Sequence, residues 1–247
     1  MLICQNQIQN HQHPAWDRTW LCVELPVTDY REVWQLQGHL VAAKYHNTIH
    51  KNVVLVLEHP PVFTLGRRGG LNNLGVSENF LAKAVIPVIQ VERGGNITFH
   101  GPGQLVVYPI IHLLTAELSV VRYVENLEEV MIRTAADWGI TAVRNPLNRG
   151  AWVGNKKLGS IGIAIRRGIC FHGMALNVNT SLEPFRWITP CGLENTEITS
   201  MERELCKNVS MKQVRERVKH HVEAVFQVSL TLTPLEKLKI DGSSSDT

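Results

Sequence analysis

The sequence contains no apolar run long enough to cross a bilayer, which excludes a helical membrane span. Met1 to Trp16 is polar and rich in Gln, Asn and His, so it lacks the apolar core of a secretory signal. It also lacks the Arg-rich amphipathic character of an organelle transit peptide, and the expected address is the cytoplasm. No CxxC pair is present, and the five cysteines are an odd number, so neither a disulfide framework nor a zinc site is expected. His11 and His13 fall in the polar leader and are read as part of it, not as a metal site. There is no Lys/Arg-rich run, and a net charge of +3 with a pI near 8.6 is too mild to argue for nucleic acid. Internal repeats and a linker able to separate two large domains are also missing.

What is present suffices for a full core: 247 residues, 44% hydrophobic and 19% charged. The expected organisation is a flexible leader over 1–16, one domain over 17–240 and a flexible tail over 241–247. Trp20 to Leu25 reads as a strand, and Thr28 as the cap of a helix carrying Val33, Leu36, Leu40 and Ala43. Val53 to Leu57 reads as a buried strand and Val62 to Leu65 as a second, ending in the turn Gly66-Arg67-Arg68-Gly69-Gly70. Ser77 opens a short helix to about Ala84. A longer helix starts near Ser119 with Val120, Val124, Leu127, Met131 and Trp138 on its apolar face, and Gly139 stops it. Further strands are expected at Thr141–Arg144, Ala151–Val153, Leu158–Ile165, Cys170–Val178 and Val228–Leu232. Ser210 with Gln213 forms a capping-box pattern ahead of a last helix. Strands outnumber helices and several adjoin as hairpins, which predicts an α/β chain of the α+β type, a mixed sheet covered by helices.

The most informative stretch is Glu92-Arg93-Gly94-Gly95-Asn96-Ile97-Thr98-Phe99-His100-Gly101-Pro102-Gly103-Gln104, between the apolar runs Val85–Val91 and Leu105–Ile111. Gly94-Gly95 permits positive φ and a close backbone approach to a ligand. Arg93 adds fixed charge, Thr98 a hydroxyl and His100 a group that titrates near neutrality. A hairpin turn needs some of these residues but not the whole polar set.

Chemistry points next to Cys191, in Ile188-Thr189-Pro190-Cys191-Gly192-Leu193. Proline before and glycine after describe a rigid, exposed turn, whereas Cys22, Cys170 and Cys206 read as small hydrophobes. Cys191 is the candidate nucleophile, and a thiol with a free pKa of about 8.5 needs a cation or base beside it at neutral pH. Lys157 opens an apolar strand 34 residues earlier, and His172 and His100 are the other candidates. A Cys–His–Asn arrangement using His172 with Asn177 or Asn179 is conceivable, although nothing in the spacing selects it. Arg67-Arg68 and Arg166-Arg167 each border a Gly-rich turn and suit either a solvated edge or a docking surface for an acidic protein.

Taken together the motifs are more specific than any one of them. Glu58-His59-Pro60-Pro61 with Gly66-Arg67-Arg68, the Arg93–Gln104 stretch, Lys157-Leu158-Gly159-Ser160-Ile161-Gly162, His172-Gly173-Met174-Ala175-Leu176-Asn177 and Pro190-Cys191-Gly192 follow in one order. In that order the chain, from about Trp20 to Met201, resembles the octanoyltransferases of lipoate biosynthesis, the lipoyl(octanoyl)-carrier protein–protein transferases. The resemblance implies a biotin/lipoate protein ligase-like fold and a cysteine/lysine dyad. Cys191 would take an octanoyl group from acyl carrier protein as a thioester. It would then pass the group to a lysine ε-amine on lipoyl domains of 2-oxoacid dehydrogenase E2 subunits or on the glycine cleavage H protein. Lys157 would be the partner of Cys191, by register with Gly159-Ser160-Ile161-Gly162 and in preference to Lys156. The acyl group would be lined by Arg93, Gly94, Gly95, Asn96, Ile97, Thr98, Phe99 and His100, with Ser160, Ile161, Gly162, Gly173, Met174 and Ala175. Backbone N–H groups near Gly173 or Leu193 would hold the oxyanion. No cofactor and no metal are implied, and both protein partners would be acidic. Asn96 and Phe99 stand where the family usually has Gln and Tyr, and Gly159 where alanine is common. The rival readings are an ATP-dependent lipoate or biotin ligase on the same fold, which needs no thiol, a silent carrier-protein-binding module, which needs neither Cys191 nor Lys157, and a thiol hydrolase.

Overall fold

The computed structural model describes residues 18–146, 148–189 and 197–238. Its frame is a mixed eight-stranded sheet in the order β10-β8-β9-β6-β2-β1-β11, with β7 pairing β8 off that path. The strands are β1 (Thr19–Val27), β2 (Val53–Glu58), β6 (Gln104–His112), β7 (Gly150–Val153), β8 (Lys156–Arg166), β9 (Ile169–Asn177), β10 (Glu197–Ile198) and β11 (Ser229–Leu232). β1 runs parallel to β2 and β11, and β10 parallel to β8, while β2–β6–β9–β8–β7 are antiparallel. A second sheet orders β4 (Val88–Gln90), β3 (Val62–Leu65) and β5 (Ile97–His100) as β4-β3-β5.

Strand alternation explains the continuous apolar runs. On β2, Val53, Leu55 and Leu57 face one core and Val54 and Val56 the other. Helix α1 (Tyr30–Tyr45) covers the first core with Val33, Leu40 and Val41. Helices α3 (Val120–Ala136) and α5 (Met211–Phe226) cover the second with Tyr123, Leu127, Val130, Val214, Val218 and Val222. A sheet buried on both faces must be apolar at every position, which is the pattern these strands show.

Several expectations shift. The α1 cap is Asp29, whose carboxylate accepts from Arg31 N at 2.8 Å, while the Thr28 hydroxyl donates to the Pro26 carbonyl. The apolar face of α3 is turned. Val120 is 42% exposed in the first turn, and Tyr123, Leu127, Val130 and Met131 meet the core. The run from Val85 becomes a strand only at Val88, because Val85 takes φ 54° and is 84% exposed. Thr141–Arg144 reduces to one bridge, Val143 with Trp152, just ahead of Pro146. The short α2 (Glu78–Lys83), capped by Ser77, matches expectation, whereas α4 (Met201–Leu205) and β10 are too short to leave a periodic signal. Among the described residues no helix is long and apolar enough to cross a membrane. The expected leader and tail lie outside the described residues.

Gly173 sits where two strands crowd it. A Cβ there would lie 2.2 Å from the Val107 carbonyl oxygen and 2.8 Å from Pro109 Cδ. Gly173→Ala forces backbone apart in the centre of the sheet, at an expected cost of about 3 kcal/mol or more. At about 2–4 °C per kcal/mol for a domain of this size, Tm falls by roughly 6–12 °C in a thermal melt. A Tm within about 2 °C of the parent would mean that the strands part without strain.

Beneath the second sheet lies a buried aromatic and imidazole cluster of Tyr30, His59, His100 and Tyr108. His59 Nδ1 donates to the Thr28 carbonyl at 2.8 Å, so its Nε2 accepts from the Tyr108 hydroxyl at 3.0 Å. Burial lowers the His59 pKa from 6.5 to about 4; burial and the neighbouring His59 hold His100 well below 6.5. As pH falls through 6.5 the unfolded chain takes up protons that folded His59 refuses until about 4. The stability from this ring is therefore complete above 6.5 and drains away between 6.5 and about 4. The loss from His59 alone is on the order of 3 kcal/mol. It is measured as a fall in the urea midpoint between about pH 7 and about pH 4.5. A constant midpoint would show that the folded chain accepts the protons.

Candidate active site

A cleft of about 380 Å³ lies between the Arg93–Thr98 segment, strand β8, the first half of α3 and the loop before β7. Its wall includes Arg68, Arg93, Gly94, Gly95, Asn96, Ile97, Thr98, Val124, Asn148, Arg149, Lys157, Ser160, Ile161, Gly162, Ile163, Phe185 and Ile198. The glycine pair works as its spacing suggests. Gly95 takes φ 90°, and Gly94 N donates to the Ile163 carbonyl at 2.8 Å, closing the segment over β8. Gly66 lets the neighbouring turn come close, since a Cβ there would sit 2.5 Å from the Gly95 oxygen.

Arg93 is a tether as well as a wall. Its guanidinium, 7% exposed, donates to the Thr64 carbonyl at 2.6 Å and the Thr64 hydroxyl at 2.7 Å, and to the Gly94 carbonyl at 3.0 Å. Its stem crosses Gly162, where a Cβ would approach Arg93 Cδ to 2.9 Å. Asn96 Oδ1 accepts from Ile97 N and from Asn73 Nδ2, both at 2.8 Å, so this amide shapes the turn. The missing methyl of Gly159 is filled by Met131, whose sulfur lies 2.5 Å from where a Cβ would be.

The tandem lysines of β8 separate cleanly. Lys156 points out to Glu204 at 2.5 Å, whereas Lys157 is 6% exposed and turns into the cleft beside Ile198. Lys157 Nζ donates to Asn148 Oδ1 at 2.6 Å and lies 5.4 Å from the Trp152 ring centroid. The β7–β8 pairing carries a bulge here: Ala151 faces Gly159 but Trp152 faces Lys157, leaving Leu158 as the extra residue.

The remaining sequence candidates stand behind the wall. Phe99 packs with Phe63 and Phe185, and His100 is bonded to Gln104 at 2.7 Å and stacked on Tyr30. Gly173, Met174 and Ala175 form the buried strand paired to Gly162, Ile161 and Ser160, so they support those wall residues from the next strand. His100 is therefore a buried neutral ring, not a group titrating near neutrality as its sequence setting suggests. His172 is 1% exposed, and burial lowers its pKa although Glu92 pulls the other way. Its nearest carboxylate, Glu92, is 3.8 Å away, beyond hydrogen-bond reach. Asn177 bonds Gln104 and the Thr199 carbonyl, and Asn179 bonds Val209, so no His172–Asn pair of the thiol-protease kind is assembled. Cys22 and Cys170 are buried, which pushes each thiol up to about 12 and leaves them unreactive, whereas Cys206, read as a small hydrophobe, is exposed at the left-handed C-cap of α4. Cys191 and Leu193 lie outside the described residues. Of the two arginine pairs, Arg68 borders the cleft. Arg166 binds Glu92 at 3.3 Å and Arg167 stacks on Tyr45, at the far end of β8 and roughly 30 Å along the strand from Lys157. Asn148, Arg149, Phe185 and Ile198 carry no local sequence pattern, and Val124, whose spacing reads as the core face of α3, borders the cleft instead.

Known proteins place this architecture. Solved structures of lipoate-protein ligase A bound with ATP and of the bipartite lipoate protein ligase of Thermoplasma acidophilum share its fold, each with a TM-score of 0.68. Their identities to this chain are 16% and 14%, covering 90% and 89% of it and 92% and 90% of theirs. A model of the lipoyl protein ligase A/B catalytic domain matches residues 29–223. An octanoyltransferase of Desulfotalea psychrophila is 46% identical over 88% of this chain and 98% of its own. Another, from Syntrophobacter fumaroxidans, is 45% identical over 83% and 90%. The chain belongs to the lipoyl protein ligase A/B catalytic-domain family and, within it, to the octanoyltransferases.

Proposed function

We propose that residues 17–240 form one catalytic domain that carries out octanoyl transfer in two half-reactions on Cys191 and Lys157. In the first, the Cys191 thiolate attacks the thioester carbonyl of an octanoyl group on acyl carrier protein. A new thioester forms at Cys191, and the carrier thiol leaves with a proton. In the second, the ε-amine of a lipoyl-domain lysine attacks that thioester; the amide forms, the Cys191 sulfur is released and the amine gives up a proton. Lys157 serves both halves. As ammonium it favours the thiolate, and as neutral amine it accepts the proton of the attacking lysine.

The observation that carries this reading is the placement of Lys157, a buried lysine at the wall of a glycine-lined apolar cleft, while Lys156 is committed to Glu204. Ile97, Ile161, Ile163 and Val124 offer the acyl chain an apolar bed, and Gly94, Gly95 and Gly162 let it approach the backbone. Arg68 and Arg149 stand at this wall with exposed side chains suited to an acidic carrier. The acceptors would be E2 lipoyl domains and the glycine cleavage H protein, and the setting the cytoplasm. The test is intact-protein mass spectrometry after mixing the chain with octanoyl-loaded acyl carrier protein in the absence of ATP. An octanoyl adduct is expected. Absence of an adduct, with lipoyl-domain modification once ATP and free octanoate are supplied, would favour the ligase reading.

A further inference from the structure

Lys157 does not hold its place alone, because the loop ahead of β7 reaches across to it. Asn148 is fixed through its backbone, its carbonyl accepting from Trp152 Nε1 at 2.9 Å. The residues after it are clamped by Glu128, a fully buried carboxylate of α3. Glu128 accepts from Gly150 N at 3.0 Å and from Arg149 Nη1 at 3.2 Å, with Arg144 Nε at 3.5 Å. Gly150 makes the clamp possible. Its φ is 142°, and a Cβ there would lie 2.2 Å from the Gly159 oxygen and 3.0 Å from Lys157 Cε. The outcome is an amide oxygen, Asn148 Oδ1, delivered to Lys157 Nζ at 2.6 Å.

We infer that Asn148 is a positioning residue for the Lys157 amine, a neutral acceptor that holds it at the cleft wall in both of its protonation states. The inference rests on the reading of Lys157 as the acid–base group of the two half-reactions. An ammonium offers three N–H donors and a neutral amine two, and an amide oxygen, which carries no full charge, accepts from either with a weaker preference for the charged form than a carboxylate's. A carboxylate in the same position would keep Lys157 charged, which suits the first half-reaction and obstructs the second. The buried carboxylate at this corner, Glu128, is engaged by the loop backbone and two arginines, and so shapes the loop.

The test is the isosteric Asn148→Asp variant of the full chain, read by competitive labelling of Lys157 with acetic anhydride across the alkaline range and peptide mass spectrometry. The labelling midpoint is expected to rise by about one pH unit or more. Octanoyl transfer from preformed acyl-enzyme to a lipoyl domain is expected to fall about 10-fold at neutral pH and to recover as pH rises. Asn148→Ala, which adds no charge, should slow transfer at every pH without raising the midpoint. A merely structural asparagine would leave the midpoint and the shape of the transfer profile where they are in the Asp variant, and that result overturns the inference. Failure of the parent chain to form an acyl-enzyme would sink the transferase reading alone, since the Lys157 midpoint still decides the role of Asn148.

Discussion

Cys191→Ala is expected to remove the octanoyl adduct altogether and to lower transfer to a lipoyl domain by a factor on the order of 10⁴ or more. The reason is chemical. Direct attack of a lysine amine on the carrier thioester requires two large proteins to present both reacting groups at once, whereas the thioester on the enzyme divides the reaction into two steps. The two buried cysteines offer no substitute, since the Cys22 and Cys170 thiols are pushed up to about 12. The measurement pairs intact mass with a transfer assay on an isolated lipoyl domain. Transfer within about 10-fold of the parent would mean that the acyl group never rests on Cys191.

The second large effect belongs to Lys157. Lys157→Met keeps the length and burial of the side chain and removes its charge and base, so the sheet should stay folded while both half-reactions suffer. Loss of a positioned base alone is worth about 10²–10⁴-fold, and transfer is expected to fall by roughly 10³-fold. The Cys191 thiol should lose its cation and return toward a pKa of about 8.5, visible as a shift of the iodoacetamide alkylation profile to higher pH. Lys157→Arg should not rescue transfer, because a guanidinium cannot give up its proton in this pH range. An alkylation profile unchanged in the Met variant would place the activating charge elsewhere.

Much of this site is legible in the chain because its chemistry is local. Gly94-Gly95 reads as a close-approach turn, and Gly95 at φ 90° is one. Lys157 reads as the odd charge on an apolar strand, and it is the buried lysine of the cleft. The mixed sheet with helices on both faces follows from apolar runs and capping residues, Ser119 and Ser210 being the caps the structure uses. What escaped is non-local. His100 reads as a titratable group, but only the tertiary fold places Tyr30, His59 and Gln104 around it and holds it neutral. Phe99 shares its motif with Thr98 but strand alternation turns it to the other face, and Gly173 to Ala175 lie on the neighbouring strand of the same sheet as the wall residues Ser160 to Gly162. Asn148 lies in an irregular loop, and its meaning comes from Glu128, twenty residues away on a helix.

The bulge at Leu158 has a consequence for how this chain can vary. Which of two identical neighbours enters the cleft is decided by strand register, not by residue type: Lys157 meets Asn148 and Lys156 meets Glu204, with Leu158 left unpaired between Lys157 and Gly159. A one-residue deletion or insertion in this hairpin would exchange their surroundings with no change in composition. Strand β8 thus carries a second amine one step out of phase with the cleft, held by Glu204. The length of this hairpin therefore sets which of the two amines faces the cleft.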